Sequence, residues 1–262
     1  MPAREAREPS RASMRSSMSR SWSRSIGVRH GSTSASLPHT QSRTSRMTRV
    51  GRPAARNARM RRTVATKVGL LRPSSQDWVV HGHPAYLRQQ AELSLRRLRT
   101  ERIDLLQLHR LDPDYPVADQ IGALRQLRDE GKVRHIGLSE VTVDQLRQAR
   151  EVAPIASVQN HYNLGARDHD DVVDHTAAHG IAFLPFFPIA AGGHAGPDSP
   201  VAEVARAVGA TAAQTSLAWL LHRAPNVIPI PGTTSVAHLE ENVAALDVTL
   251  TEEQFKQLGG GS

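Results

Sequence analysis

"ARNARMRRTVATKVGLL", residues 55–71, changes character at Thr63. Before it the chain is arginine, alanine and serine with no apolar period; from it, "TVATKVG" reads as a buried β-strand whose tip carries Lys67. A lysine ending an apolar strand is costly to bury without a carboxylate partner, so it marks either a rim side chain that snorkels to water or a functional group. The fold follows from what repeats this pattern downstream. Further apolar runs stand at 103–109, 133–139, 155–160, 181–187 and 226–232, and the six starts lie 22 to 45 residues apart, the spacing of βα units.

The segments between them carry helical periods. "HPAYLRQQAELSLRRLRT" (83–100) puts Leu87, Ala91, Leu95 and Leu98 on one face, and "VADQIGALRQLRDEG" (117–131) groups Val117, Ile121, Leu124 and Leu127 before Gly131 stops it. Helical patterns at 142–152, 167–180, 199–209, 211–223 and 235–246 continue the alternation, and 251–258 begins on an N-capping threonine. A doubly wound dinucleotide fold predicts a G-x-G-x-x-G turn after an early strand, and the sequence has none. A (β/α)8 barrel predicts polar residues at the C-terminal ends of successive strands, converging on one mouth. Lys67, His109, Ser139, Gln159 with Asn160, the 186–188 region and 232–234 close the six runs in that way. The expected architecture is therefore α/β, a (β/α)8 TIM-type barrel that is incomplete, with about six recognisable strands where eight are needed.

Charge divides at the same boundary. Residues 1–62 hold 15 Arg against only Glu5 and Glu8, a balance of +13, whereas 63–262 hold 18 basic and 23 acidic residues, a balance of −5. The net +8 of the 262-residue chain is thus a property of the first segment, and nucleic acid is not an expected partner of the second. The first segment also holds 13 Ser and all five Met but no Phe, Tyr or Asp, too few large apolar side chains to offset the entropy of ordering it. It is expected to be disordered or out of frame; a transit peptide, a linker and a basic nucleic-acid arm are the alternatives. The expected division is 1–62 as low-complexity segment and 63–262 as barrel domain. With no cysteine there is no disulfide, thiolate metal site or thiol nucleophile, no metal site is expected, and no apolar run is long enough to span a membrane. A cytoplasmic location is expected.

"VATKVG", "RIDLLQLHRLDP", "EGKVRHIGLSE", "SVQNHYNL", "FLPFFPIAAGG" and "VIPIPGTTSVAHLEENVAAL" resemble consecutive segments of the aldo-keto reductases, in family order and spacing from about residue 63 to 258. The resemblance implies an NAD(P)H-dependent reductase of aldehydes or ketones, acting on a small-molecule carbonyl substrate at the C-terminal mouth of the barrel. It implies a tetrad of Asp, Tyr, Lys and His, of which Lys67 and His109 match the last two. It implies that Ser139 and Gln159 hold the nicotinamide carboxamide and that Phe186 stacks on the ring. Phe187, Pro188, Ile189 and Gly192 would follow the pyrophosphate side. Gly232, Thr233 and Thr234 would face phosphate at a helix start, with His238, Glu241 and Asn242 on the adenine side. NADP is the expected cofactor, with NAD as the alternative.

The sequence departs from the family pattern. No Asp or Tyr precedes Lys67, so the other half of the tetrad has no match and catalysis is expected to be impaired; a positioned general acid is typically worth about 100-fold to 10,000-fold. Glu140 stands where many members have Asn, His238 where an Arg is common, Phe186 where the family often has tyrosine, and Gly232 where a Lys can occur. A non-catalytic cofactor-binding protein or scaffold is the alternative function. Substrate identity and oligomeric state are not legible.

Overall fold

The computed structural model describes residues 63–193 and 196–259. The readings of residues 1–62 lie outside the described residues.

Seven strands are present among them: β1 (Ala65–Val68), β2 (Leu70–Leu71), β3 (Val79–Val80), β4 (Ile103–Leu108), β5 (Val133–Ser139), β6 (Ile155–Gln159) and β7 (Ala182–Phe183). β1, β4, β5, β6 and β7 form one sheet in that order, every pair parallel, while β2 and β3 make a small antiparallel pair. The helices are α1 (Pro84–Leu98), α2 (Val117–Asp129), α3 (Val143–Val152), α4 (Asp170–Ala178), α5 (Pro200–Val208), α6 (Ala212–Arg223), α7 (Val236–Ala244) and α8 (Glu252–Gly259). Sequential parallel strands with a helix returning between them are consecutive staves of a barrel wall.

One face of the sheet is apolar. Leu108, Leu138, Val158 and Phe183 follow one another in register across β4 to β7, all at or near zero exposure, and Leu106 with Ile136 forms the row beneath. Leu87, Ala91 and Leu95 of α1 and Ile121, Leu124 and Leu127 of α2 are buried in the same core. Leu98, expected to join them, is 46% exposed, because α1 ends there and Arg99 turns into the left-handed region at φ 51. Thr142 and Thr211 start α3 and α6 with reciprocal capping boxes to Gln145 and Gln214, and Ser199 caps α5.

The last two expected strands are shorter than the sequence implies. The run 181–187 is regular only over Ala182–Phe183, although Leu184 and Phe186 still donate to the carbonyls of Val158 and Asn160. The run 226–232 contributes a single parallel bridge, Phe183 to Val227. Proline explains both: Pro185, Pro229 and Pro231 have no N–H to donate to a ladder. The β2–β3 pair was not legible, since two residues per strand carry no period.

Candidate functional site

The other face of the sheet is polar towards the C-terminal ends of its strands, and strand register builds that part. Lys67 pairs with Gln107, Gln107 with Gly137, Gly137 with Ser157, and Ser157 with Ala182, so all five positions share one face. Gln107 Nε2 donates to Ser157 Oγ at 3.5 Å, reaching over β5 at Gly137. A Cβ on Gly137 would lie 2.4 Å from that oxygen and 2.9 Å from Gln107 Cγ, so this layer requires glycine there. One layer nearer the C-terminal ends, Ser139 is in register with Gln159, and both are buried. His109 follows β4 directly, its N–H donating to the Val68 carbonyl at 2.8 Å. The structure therefore brings Lys67, His109, Ser139 and Gln159 to the same end of four neighbouring strands.

Arg110, to which sequence reasoning assigned no role, enters the same site. Its Nη1 donates to the His109 carbonyl at 2.6 Å and to Ser139 Oγ at 3.3 Å, tying the end of β4 to the end of β5. The charges there act on one another. Burial, then Arg110 and Lys67, push the His109 imidazole down to about 4, so it is neutral near neutral pH. Burial and then Arg110 lower the Lys67 ammonium. Burial lowers Arg110, and the Glu140 carboxylate opposes that. The only signal for Arg110 in the sequence was its place beside His109; the direction of a guanidinium depends on register.

The loops after β5 and β6 are locked together. Asn160, fully buried, accepts from Val141 N at 3.2 Å and donates to Val141 O at 2.8 Å. Glu140 sits at φ 53, donates its N–H to the Gln159 carbonyl, and accepts at its carboxylate from His161 N–H. Left-handed backbone is tolerated best by Gly and Asn, so Glu140 is held there at a cost. The His161 ring lies 5.3 Å from Phe186 and 5.8 Å from Phe187. Phe187, Ala190, Ala191 and Gly192 all have positive φ, and Asn163 Nδ2 fixes the Phe187 carbonyl at 3.0 Å. Pro188 is buried and Ile189 half-buried in this tight loop.

Gly232, Thr233, Thr234 and His238 are exposed around the start of α7. Thr233 Oγ1 accepts from Ser235 N, and Ser235 caps α7 by accepting from His238 N. Glu241 is engaged elsewhere: its carboxylate accepts from Thr211 Oγ1 at 2.6 Å and its carbonyl from Gln214 Nε2, joining α7 to the start of α6. Asn242 is half-buried beside it.

The three tyrosines are engaged as follows. Tyr162 is fully buried, donates to Asp170, and is pushed up to about 12 by burial and then by that bond. Tyr86 and Tyr115 pack edge-on against His81, with ring centroids 4.7 and 6.1 Å away. Among the described residues no group of three His, Cys, Asp or Glu is placed to hold a metal ion. No described helix is long and apolar enough to cross a membrane. A cleft of about 480 Å³ opens between the starts of α3 and α4, lined by Thr142, Asp144, Arg147 and His175 among others, and includes none of the candidate residues.

The sequence profile of the aldo/keto reductase family matches residues 27–260, beginning upstream of Thr63. An uncharacterized oxidoreductase of Schizosaccharomyces pombe is 43% identical over 195 residues, covering 74% of this chain and 64% of its own length. Pyridoxine 4-dehydrogenase of Escherichia coli is 41% identical over 205 residues, covering 76% and 71%. Among solved structures, an aldo/keto reductase from Klebsiella pneumoniae in complex with NADP and acetate superposes with a TM-score of 0.63 at 29% identity, covering 75% of this chain and 68% of that one. The glycerol dehydrogenase of Gluconobacter oxydans gives 0.68 at 26%, covering 74% and 70%. The chain thus spans about two thirds of the length of these relatives. With its parallel sheet, outer helices and polar strand ends, it belongs to the aldo/keto reductase family of (β/α)8 barrels.

Proposed function

We propose that this chain binds NADP(H), with NAD(H) as the alternative, and acts as an impaired aldehyde or ketone reductase. The observation that carries this reading is the register that sets Lys67, His109, Ser139 and Gln159 at one end of the polar face. The cofactor fits by its chemistry: a hydroxyl at Ser139 and an amide at Gln159, adjacent in register, offer the donors and acceptors that a carboxamide needs. Phe186 adds an aromatic face nearby, and the exposed start of α7 offers backbone amides to an anionic group. When bound there, the cofactor supplies a hydride to the carbonyl carbon.

The chain's own residues do the rest. His109, neutral, donates a hydrogen bond that orients the carbonyl oxygen without giving up a proton. Lys67, with its pKa lowered by burial and Arg110, is the acid left to protonate that oxygen in the absence of a matching phenol. An ammonium in this role is less well placed than a tyrosine held between lysine and substrate, which is the reason for impairment. The test is turnover of a nitrobenzaldehyde with NADPH by wild type and Lys67→Met. Slow turnover abolished by the substitution supports the reading; turnover indifferent to Lys67 contradicts the assigned chemistry.

Binding of NADPH without any turnover favours the second reading, a non-catalytic cofactor-binding protein. The observation in its favour is that Tyr162 is committed to Asp170 and no Tyr precedes Lys67.

A further inference from the structure

Arg110 uses one nitrogen twice. Nη1 carries two hydrogens, one directed to the His109 carbonyl and one to Ser139 Oγ. The first contact anchors the guanidinium to backbone, so the second is made by a donor that is not free to swing. A serine hydroxyl has one proton and two lone pairs, and once a lone pair is held by a fixed N–H, the proton must point elsewhere. Ser139 is 1% exposed at the C-terminal end of β5, with Gln159 beside it in register. A hydroxyl that accepts from a cation is also a stronger donor, because successive hydrogen bonds polarise one another.

We propose that Arg110 is a positioning residue that fixes the Ser139 hydroxyl as the hydrogen-bond donor to the carboxamide oxygen of the nicotinamide ring. It acts through Ser139 and touches neither substrate nor cofactor. The inference rests on the reading of this end of the sheet as the nicotinamide site. Arg110 so placed couples the two halves of the site, since the guanidinium that orients Ser139 also holds the backbone of His109.

The test is calorimetric titration of the full chain with NADPH and with its thionicotinamide analogue, whose sulfur is a poor acceptor. Wild type, Arg110→Gln, Arg110→Lys, Ser139→Ala and the Arg110→Gln/Ser139→Ala double variant are compared. Arg110→Gln is expected to weaken NADPH about tenfold, Ser139→Ala by about the same factor, and the double variant no further than Ser139→Ala alone. The analogue is expected to be nearly indifferent to Arg110→Gln. Arg110→Lys, whose ammonium lacks the planar fork, is expected to behave like Arg110→Gln and serves if the glutamine variant does not fold. Multiplicative losses in the double variant, or equal losses for NADPH and its analogue, overturn the inference while leaving the cofactor reading intact. Failure of wild type to bind either ligand overturns both.

Discussion

Gly137 is glycine because Gln107 and Ser157 meet across it. Inserting a methyl group forces those side chains or the β6 backbone to shift, since the Ser157 carbonyl is also only 3.2 Å from the new carbon. Gly137→Ala is expected to destabilise by about 1–3 kcal/mol, read as a lower denaturation midpoint. Gly122, inside α2 with nothing within 4 Å of an added Cβ, is the control; Gly122→Ala is expected to stabilise by about 0.5–1 kcal/mol. His109 makes a pH prediction. Its folded pKa of about 4 lies below the unfolded value of 6.5, so the unfolded chain binds more protons between them. Stability from this group is present above 6.5 and is lost as pH falls towards 4, and urea unfolding followed through that window should show a loss that is smaller in His109→Gln. That Lys67 and His109 stand at the C-terminal ends of β1 and β4 was legible from the apolar runs that carry them. The bond from Arg110 to Ser139 was not, because it joins side chains 29 residues apart whose meeting depends on the β4–β5 register.

The helices were legible to within three residues and the first four expected strands to within two; the last two expected strands were not. Thr251 announces α8 as an N-cap, and in the structure Thr142 and Thr211 cap α3 and α6 in the same way, each hydroxyl accepting from the backbone N–H three residues on. Thr142→Ala is expected to cost about 1 kcal/mol in a denaturant melt. Thr211→Ala is expected to cost more, because the same hydroxyl also donates to Glu241 and links α6 to α7. The runs 181–187 and 226–232 were read as full strands from their apolar content. Backbone donors decide regular pairing, and the prolines remove them, leaving two residues of strand and two isolated bridges, at Phe186 and at Val227. Phe186 stays beside His161 through an isolated parallel bridge, and the positive φ values of the loop begin only after it, at Phe187.

Over the whole described domain, the apolar face of the sheet is covered by helices while α7 keeps its own apolar side exposed. Val236, Leu239 and Val243 recur along α7, with Val236 at 73% and Leu246 just beyond at 70% exposure. Such a patch is expected to bind an apolar dye, and Leu239→Lys with Val243→Lys should reduce that binding with little change in melting temperature. Barrel class and family were legible because the polar strand ends recur in register with the βα period; the number of regular strands was not, because prolines interrupt the last two runs and β2 and β3 are too short to show a period. The central claim is that this polar end of the sheet holds a nicotinamide cofactor. Titrating wild type and Gln159→Ala with NADPH, followed by nicotinamide fluorescence, tests it most directly. Saturable binding in wild type, weakened about tenfold by the substitution, is the predicted result; no saturable signal up to about 1 mM, or binding unaffected by Gln159→Ala, would contradict it.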